Sequence, residues 1–370
     1  MKTIAYYLPQ FHRTPENDKW WGEGFTEWTN LKKAKPLFEG HYEPRIPLNQ
    51  NYYDLSEIEN IRWQAEIATK HGVYGFCLYH YWFNGKLLLE KPIHLLRDNK
   101  NIDIHYCLCW ANENWTNGWV SDKNNILITH DFNDRQDWKK HIDYFIDFFK
   151  DARYIFIDEK PVLIIYYPNL IVPLKEMMDF WNNEVIKAGF KGITFIFQHP
   201  YFYFDKKTDK SLFNYGIEFE PAFSRLTRYG NNTTRQNAKI MISTFMQKTL
   251  HIYLHLQKKL VKYDYDEIWR ELLARTPDAK MLPGAFVDWD NTPRKGERGS
   301  VIEGASPEKF EMYFKKLVKK AKTVYKKDYI FIFAWNEWTE GGYLEPDEKY
   351  GYAYLDAIRD VLTEENELPD

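Results

Sequence analysis

A single (β/α)8 barrel over residues 1–370, with long loops after its first and sixth strands, is the fold that this sequence predicts. Three observations predict it. Eight short apolar or aromatic runs recur along the chain, helix-like stretches separate most of them, and 370 residues suit one large barrel. We find no linker, repeat or low-complexity tract, so the sequence predicts one catalytic domain.

The predicted strands are short runs rich in β-branched and aromatic residues. In chain order they are Thr3–Leu8, Val73–Tyr79, Ile104–Trp110, Val162–Tyr166, Ile193–Gln198, Tyr215–Glu220, Leu282–Val287 and Tyr329–Trp335. Strands that alternate with helices in this way are typical of a parallel sheet, and eight of them are the number that closes a barrel.

The helical pattern is clearest in five of the stretches between these strands. They are Asp54–His71, Arg135–Lys150, Val172–Ala188, Pro307–Lys326 and Tyr350–Leu362. Ser306 before Pro307 supplies a capping hydroxyl and a first-turn proline, which together predict where the fourth of these helices begins.

Two long excursions interrupt the alternation. Gln10–Asn51 follows the first strand, and Arg225–Ala279 follows the sixth and contains a helical, partly basic segment around Thr244–Lys262. Long loops in a compact barrel usually form lids or binding walls. The alternative fold, a doubly wound open sheet, would need a glycine-rich turn after the first strand, where the residues are Pro9–His12.

The composition points to a carbohydrate partner. Aromatic residues make up 18% of the chain, and many stand beside His, Asn, Glu or Arg, which suits a groove where rings stack on sugar faces. Nucleic-acid binding also uses aromatic platforms, but it requires a basic field, and the net charge here is −3. We therefore predict no nucleic-acid partner, and the sequence does not predict an oligomeric state.

The cysteines and the N-terminal segment predict a cytoplasmic location, unless a leader has been removed. Cys77, Cys107 and Cys109 are odd in number and show no disulfide pattern, which favours a reducing compartment. No apolar run approaches the ~20 residues that span a membrane. Met1–Leu8 is too short for the apolar part of a signal peptide, so we predict no membrane partner.

Polar and aromatic residues cluster just past six of the predicted strands. Because the C-terminal ends of barrel strands meet at one face, we expect these clusters to form one pocket. The predicted substrate-binding residues are Tyr7, His12, Trp28, His80, Tyr81, Trp82, Trp110, Asn112, Glu113, Trp115, Glu218, Glu220, Trp289, Trp335 and Asn336.

Several of these residues have a second interpretation. His80 fits a sugar-binding role and a structural role equally well. Glu218 and Glu220 lie on the same side of their strand, so one of them competes for the role of catalytic acid. Asp288 and Asp290 have a similar claim, and a turn explains them equally well.

Glu337 and Glu340 are the predicted catalytic residues. They stand three residues apart after the last strand, between tryptophans, and two carboxyl groups among aromatic rings are what acid/base cleavage of a glycosidic bond requires. Low polarity would raise one carboxyl pKa enough to keep its proton near neutral pH. The alternative is a strand end that is merely acidic. No metal-ligand motif and no nucleotide-binding motif occurs, so we predict no metal and no cofactor.

Four segments resemble the WbsX-like family, which is related to glycoside hydrolase family 99. They are Tyr6–His12, Trp21–Trp28, Gly40–Pro47 and Trp335–Gly341, and the resemblance covers nearly the whole chain. It implies a (β/α)8 barrel and a retaining cleavage like that of family 99, whose members cut internal α-mannosidic bonds. Thr339 stands where family 99 has His, so the resemblance does not carry mannose specificity to this chain.

The resemblance also implies a role for each glutamate. In family 99 one carboxylate removes the proton of the sugar 2-hydroxyl, which attacks the anomeric carbon and gives a 1,2-anhydro sugar. A second carboxyl group protonates the leaving oxygen and later activates water. The matching positions are Glu337 for the base and Glu340 for the acid/base residue.

Three functional hypotheses follow. The first is a retaining glycoside hydrolase, endo-acting, that cleaves a polysaccharide or oligosaccharide. The second is a glycosyltransferase of O-antigen or capsule biosynthesis, the role that gene context has given the family; it would need a diphosphate-binding device, and only Asp288-Trp289-Asp290 has a suitable spacing. The third is a binding protein that has lost catalysis. The sequence predicts neither the sugar nor the linkage.

Overall fold

The computed structural model describes residues 1–116, 126–229 and 260–369. Nine parallel strands with helices between them form a nearly closed barrel, which confirms the predicted fold class. The strands β1 to β9 are Lys2–Tyr7, Val73–Phe83, His105–Trp110, Lys160–Ile165, Thr194–Phe197, Tyr215–Ile217, Met281–Leu282, Gly284–Phe286 and Tyr329–Phe333.

The barrel closes through a seventh strand that is split in two. The strands pair in the order β7-β6-β5-β4-β3-β2-β1-β9-β8, and β7 and β8 are separated only by Pro283. Proline has no N–H to donate to the ladder, so the strand is interrupted there. Because β7 pairs with β6 and β8 pairs with β9, the two pieces together occupy the place of the predicted seventh strand.

Helices cover the outside of the barrel and the long first loop. In the described part of the chain, α1 to α12 are Pro15–Trp21, Glu27–Lys33, Ile58–Lys70, Lys91–Asp98, Arg135–Phe149, Leu174–Lys187, Pro200–Phe204, Ala222–Tyr229, Tyr265–Ala274, Thr292–Lys295, Pro307–Lys320 and Ala353–Glu364. Ser306 accepts the N–H of Lys309 at 3.3 Å, as its capping role predicts. The α-helix it begins ends at Lys320 and continues as a π-helical turn over Ala321–Tyr325, one residue short of the predicted end.

Short strands lie outside the barrel, and two of them change the predicted boundaries. They are Lys86–Leu88, Trp115–Thr116, Ile126–Ile128, Phe156–Ile157, Val261–Asp264, Ser300–Glu303, Asn336–Glu337 and Gly342–Tyr343. Strand β2 continues past Tyr79 because its end forms a hairpin with Lys86–Leu88. Residues 244–259 of the predicted helical segment lie outside the described residues, and Val261–Asp264 is a strand because it pairs with Ser300–Glu303.

Aromatic rings from four strands or strand ends fill the barrel interior. The Tyr6 ring stacks on Tyr79 at 5.8 Å and meets the edge of Phe219 at 5.2 Å. Tyr6 also lies 5.9 Å from Phe331, and Phe219 lies 5.7 Å from Phe333. Side chains alternate along a strand, so the residues next to these inward-facing rings face the outer helices.

None of the helices in the described ranges combines the length and the apolar character that crossing a membrane requires.

Candidate active site

A tight hairpin follows β9 and carries both predicted catalytic glutamates. Asn336–Glu337 pairs in antiparallel fashion with Gly342–Tyr343, and Trp338–Glu340 forms a single helical turn between them. The ladder bonds hold the backbone of Glu337, and the turn brings Glu340 back toward it. The hairpin is therefore a rigid support for two carboxyl groups.

Asn336 joins the end of β9 to the end of β1. Its Oδ1 accepts the N–H of Leu8 at 2.7 Å, and its Nδ2 donates to the carbonyl of Leu8 at 3.0 Å. Asn336 and Trp335 are fully buried, and the Trp335 ring lies 5.0 Å from Phe76 in the layer between barrel and helices. The structure places both residues beneath the acids, where they support the hairpin.

A buried carboxyl group, Glu345, fixes the other side of the hairpin. It accepts hydrogen bonds from Trp338 Nε1 at 2.6 Å, Gln64 Nε2 at 2.6 Å and Tyr53 Oη at 2.8 Å. Burial raises the pKa of Glu345 to about 7, although these three donors oppose the shift. Tyr7 donates to Gln64 Oε1 at 2.7 Å, so this predicted substrate residue belongs to the same supporting network.

The turn after Glu340 can be made only by glycine. Gly341 has φ = 69°, and a Cβ there would lie 2.7 Å from the backbone nitrogen of Asp290 and 3.0 Å from Arg45 Cζ. That nitrogen donates to the carbonyl of Glu340 at 2.7 Å, and Arg45 Nη1 donates to the carbonyl of Gly341 at 2.9 Å. These contacts leave no room for a side chain.

We expect Gly341→Ala to lower the free energy of unfolding by more than ~2 kcal/mol, because the left-handed conformation costs about 1–2 kcal/mol and the clash adds to it. Gly351→Ala is the matched control, since Gly351 has φ = 55° but nothing within 4 Å of a built Cβ. Urea unfolding measures both variants. Equal losses would contradict the steric argument.

Arg294 brings three carboxylates together at the mouth of the barrel. Its Nη1 donates to Glu340 Oε1 at 2.6 Å, while Nη2 lies 3.1 Å from Glu27 Oε2 and 3.5 Å from Glu337 Oε2. Thr339 Oγ1 also donates to Glu27 Oε2, at 2.5 Å. The side chains of Glu337 and Glu340 are 8% and 14% exposed, so the acids are recessed but accessible to a ligand.

The surroundings of this cluster favour the protonated form of Glu337. Burial, together with the charge of Glu340, raises the pKa of Glu337 to about 8, and Arg294 only partly opposes this. Glu340 has its short ion pair with the Arg294 guanidinium. Near neutral pH the raised pKa therefore favours a protonated Glu337 beside the Glu340–Arg294 ion pair.

This shift predicts a pH-dependent effect of Glu337→Gln on stability. The ordinary pKa of the group is 4.5, so between that value and about 8 the folded protein holds one more proton than the unfolded chain. The contribution of protonated Glu337 to stability is complete below pH 4.5. The free energy of unfolding then falls as pH rises from 4.5 to about 8. We expect the melting temperature of Glu337→Gln to increase relative to that of wild type as pH rises. Glu57→Gln, which changes an exposed carboxyl group, should show a constant difference; a constant difference for Glu337→Gln would contradict the prediction.

Aromatic residues of the second strand, of the first loop and of the segment after the third strand contact one another, and Tyr81 among them lies near Glu337. The Tyr81 ring meets the Trp115 edge at 5.2 Å, and Trp115 meets Trp20 at 5.6 Å. Burial and the negative charge of Glu337 raise the pKa of Tyr81, which places its hydroxyl within electrostatic range of that acid. Trp115 and Trp20 are partly exposed, as a sugar-stacking surface requires.

Tyr166 and Trp289 also lie near the paired acids. Burial and the charges of Glu113 and Glu340 raise the pKa of Tyr166, so the tyrosine stands within electrostatic range of both. Trp289 is partly exposed, and its ring lies 5.6 Å from Phe333 at the end of β9. Of the predicted substrate residues, Tyr81, Glu113 and Trp289 are thus the ones placed near the acids, and Trp115 contacts Tyr81.

The chain matches a known family over most of its length. Residues 3–358 match the family described as Glycosyltransferase WbsX. The chain belongs to the WbsX family. This confirms the resemblance found in the sequence, and the match covers the barrel from Thr3 onward and the hairpin after β9.

Two curated relatives of the WbsX chain come from strains of Xanthomonas campestris pv. campestris. Each is described as Uncharacterized protein WxcX and is 34% identical over 366 residues, which is 97% of this chain and 49% of the relative. The chain spans about half the length of the curated relatives it matches.

Solved structures similar to the WbsX chain share its barrel. The GH99 endo-alpha-mannosidase from Bacteroides thetaiotaomicron aligns with TM-score 0.56 and 16% identity, over 99% of this chain and 98% of that one. A glycoside hydrolase-like protein aligns with TM-score 0.55 and 11% identity, over 97% and 93%. At these identities the likeness establishes the fold.

Three predicted substrate residues of the WbsX chain point to the outer helices instead. His80 Nε2 lies 2.9 Å from His141 Nε2 on α5, and Trp82 Nε1 donates to Asp137 at 3.0 Å. The Trp110 ring lies 4.9 Å from the His141 ring. Tyr79 faces the barrel interior, so its neighbour His80 faces outward. The structure does not bring these side chains to the acids.

Two predicted residues of the first loop are enclosed by the loop itself. Nδ1 of His12 lies 2.9 Å from the carbonyl of Pro9, and burial lowers the pKa of this histidine. Trp28 donates from Nε1 to the carbonyl of Tyr53 at 2.8 Å. Both side chains are buried and serve to shape the loop.

Other predicted residues are engaged by structural partners. The amide of Asn112 accepts from the backbone nitrogen of Tyr167 at 2.8 Å and donates to its carbonyl at 2.9 Å. Arg275 forms ion pairs with both Glu218 and Glu220, the second at 3.0 Å. Neither carboxylate contacts the paired acids at the end of β9, so the competition expected from the sequence is not seen in these contacts.

Sequence reasoning missed Glu27, Arg294 and Tyr166. A signal existed for Glu27, because it lies inside the Trp21–Trp28 segment that carries the family resemblance. Tyr166 is the last residue of the predicted fourth strand, a position where site residues are expected. Arg294 follows no recognisable motif, so only the folded structure identifies it.

One group of side chains near the site has the spacing of metal ligands. Single ligand atoms of His41, Glu43 and Asp290 lie within 4.8 Å of one another. However, His41 Nδ1 accepts the N–H of Leu37 at 3.0 Å, so the ring proton is on Nε2, which donates to Asp290 at 2.6 Å. Arg45 also lies 3.4 Å from Glu43 and 3.9 Å from Asp290. A histidine without a free lone pair and an adjacent guanidinium do not suit a cation.

Proposed function

We propose that this protein is a retaining glycoside hydrolase, endo-acting, and that Glu337 and Glu340 are its catalytic residues. The observation that carries the proposal is the recessed pair of carboxyl groups at the end of β9, held by one guanidinium. General acid/base cleavage of a glycosidic bond requires a carboxylate beside a protonated carboxyl group. The fold shared with a GH99 endo-alpha-mannosidase supports it.

The reaction needs one carboxylate and one proton at the start. The carboxylate takes the proton of the sugar 2-hydroxyl, whose oxygen bonds to the anomeric carbon as the glycosidic bond breaks, and the acid protonates the leaving oxygen. In the second half the former acid takes a proton from water. The water oxygen then bonds to the anomeric carbon, the bond to O2 breaks and the former base returns its proton to O2. Two inversions give retention.

The contacts and the family resemblance assign the proton differently. In the free protein Glu337 holds it, since Glu340 has the short ion pair to Arg294. The resemblance makes Glu340 the donor. In both assignments the two glutamates together hold one proton. Binding of a sugar hydroxyl beside Glu337 would favour transfer of that proton from Glu337 to Glu340.

The substrate that suits this opening is an oligosaccharide or polysaccharide. The partly exposed rings of Trp20 and Trp115 lead to Tyr81, which lies near Glu337, and partly exposed Trp289 precedes Asp290, which donates to Glu340. Glu113 is an exposed hydroxyl acceptor near Tyr166. Flat rings bury the apolar face of a sugar, and carboxylates bind its hydroxyls.

The experiment that tests the proposal follows the product stereochemistry. Wild-type protein is incubated with a panel of purified polysaccharides, and the anomeric protons of the first product are followed by NMR. We expect release of an oligosaccharide with retained configuration. An inverted product would exclude the anhydro-sugar route, and the absence of cleavage across the panel would contradict hydrolysis.

The family description favours a second candidate, glycosyl transfer to a sugar acceptor. The predicted Asp-x-Asp pair does not support it, because Asp288 is paired with Arg45 at 2.9 Å and Asp290 with His41 at 2.6 Å. Calorimetry with nucleotide sugars distinguishes the two. Sub-millimolar binding of a nucleotide sugar would favour transfer.

A further inference from the structure

We propose that Arg225 binds an anionic group of the glycan, a carboxylate or a phosphate, beside the paired acids. This rests on the proposed function and adds a substrate class to it, the acidic glycans. Arg225 lies on α8, just after the sixth strand of the barrel. It was not among the residues that the sequence singled out.

The guanidinium of Arg225 is held between two aromatic rings. Its Cζ lies 4.7 Å from the centre of the Tyr263 ring and 5.2 Å from that of Trp289. Rings on both sides fix the plane of the group while leaving its edge available. A guanidinium fixed in this way is prepared for the two parallel hydrogen bonds that a carboxylate or phosphate accepts.

Arg225 lacks a counter-ion in the described part of the chain. No carboxylate there lies within 4.0 Å of it, and its enclosed Nε has no hydrogen-bond acceptor. The terminal nitrogens are not enclosed with Nε, and the residue is partly exposed. By contrast, each of four other largely buried arginines contacts a carboxylate: Arg45, Arg153, Arg275 and Arg294.

Glu220, which precedes Arg225 on the same segment, and Asp288, which precedes Trp289, are already engaged. Glu220 is bound by Arg275 and by the hydroxyl of Ser224 at 2.8 Å, and Asp288 is bound by Arg45. A partly buried guanidinium without an acceptor is costly, because its lost hydration is not replaced. An anion supplied by a ligand would replace it.

Arg225 is connected to the paired acids through the contacts of Trp289 and its neighbour Asp290. Trp289 contacts Arg225 on one side and Phe333 of β9 on the other, and the next residue, Asp290, donates to the carbonyl of Glu340. A glycan lying against the exposed edge of Trp289 would therefore present one of its substituents to Arg225. Recognition of a charged substituent here would select acidic over neutral glycans.

Binding of defined glycans to the Glu337→Gln variant tests the proposal without turnover. The probes are oligosaccharides that carry a uronic acid, the same compounds with the carboxyl group reduced to an alcohol, and phosphorylated and dephosphorylated pairs. We expect the anionic member of a pair to bind better, in a salt-dependent manner, and Arg225→Gln to weaken that binding about 10- to 100-fold, as for a lost hydrogen bond to a charged group. Whether the uronate or the phosphate pair shows the effect identifies the anion.

Two further variants serve as controls. Arg228→Gln lies on the same helix, and its guanidinium is 3.0 Å from Glu267, so it should leave anion preference unchanged. Arg225→Lys keeps the charge without the planar group and should recover part of the affinity. Melting curves establish that each variant is folded. Equal affinity of Arg225→Gln and its parent for the anionic probe, or preference for neutral probes, would overturn the proposal. Cleavage of neutral glycans by wild type would still support the hydrolase function.

Discussion

Replacing either Glu337 or Glu340 by glutamine is expected to reduce turnover of a susceptible glycan by about 10²- to 10⁴-fold, the usual contribution of general acid/base catalysis. Glutamine keeps the shape of the side chain but neither holds an exchangeable carboxyl proton nor accepts one. Initial rates of product release measure the loss. Glu57→Gln changes an exposed carboxyl group far along the chain from the hairpin and should retain wild-type activity. Activity of both catalytic variants near that of wild type would refute the assignment.

The leaving group then identifies which glutamate is the acid. A substrate whose leaving group has a low pKa needs no protonation, so it should restore much of the activity of the variant that lacks the acid. It should not restore activity to the variant that lacks the base. Rescue of Glu340→Gln would agree with the family resemblance, whereas rescue of Glu337→Gln would agree with the proton location in the free protein.

Arg294→Gln is expected to lower the free energy of unfolding at neutral pH by about 3–5 kcal/mol, the cost of removing one partner from a buried ion pair. The variant leaves Glu27, Glu337 and Glu340 close together without the guanidinium that they share. Without the guanidinium, their negative charges repel one another. The loss should therefore shrink in acid, where the carboxyl groups take up protons. Chemical unfolding across pH measures it.

Arg135→Gln is the control for Arg294→Gln. Arg135 forms an ion pair with Glu176 at 2.8 Å, but both side chains are more than half exposed, so removing it should cost little. Arg294→Lys keeps one charge and should recover part of the stability. A loss below about 1 kcal/mol for Arg294→Gln at neutral pH would show that Arg294 does not hold the cluster.

The barrel could be predicted from the sequence because its signals are local. Each apolar run such as Thr3–Leu8 carries its own strand pattern, and each helical stretch such as Arg135–Lys150 carries its own period. The boundaries were less accurate where a tertiary contact decides them. The hairpin with Lys86–Leu88 extends β2, for example, and no local pattern announces it.

Which side of a strand faces the interior could not be predicted, because both faces of a barrel strand are buried and apolar. Tyr79 lies inside, so His80 and Trp82 contact α5, whereas Tyr81 lies near Glu337. A shift of one residue would exchange these roles.

The same limit applies after the sixth strand. Phe219 takes the inward position against Tyr6, and Glu218 and Glu220 on either side of it meet Arg275. Only the pairing of neighbouring strands determines this.

The supporting contacts of the acids were also beyond sequence reasoning, because they join distant residues. Glu27 and Thr339 are 312 positions apart, and Glu27 and Arg294 are 267 apart. A motif describes neighbours in the chain, so it located Glu337 and Glu340 but not the groups that set their charge. The family resemblance located the segment of Glu27 without giving it a role.

The amide of Asn336, bonded to the backbone of Leu8 across 328 positions, has a consequence for biosynthesis. While a ribosome is still translating the middle of this chain, Leu8 has left the exit tunnel but its partner does not exist. Closure of a loop of this size is slow relative to local folding. The paired acids can thus take their place only after the hairpin has been translated, and a nascent chain that is released before residue 337 lacks both of them.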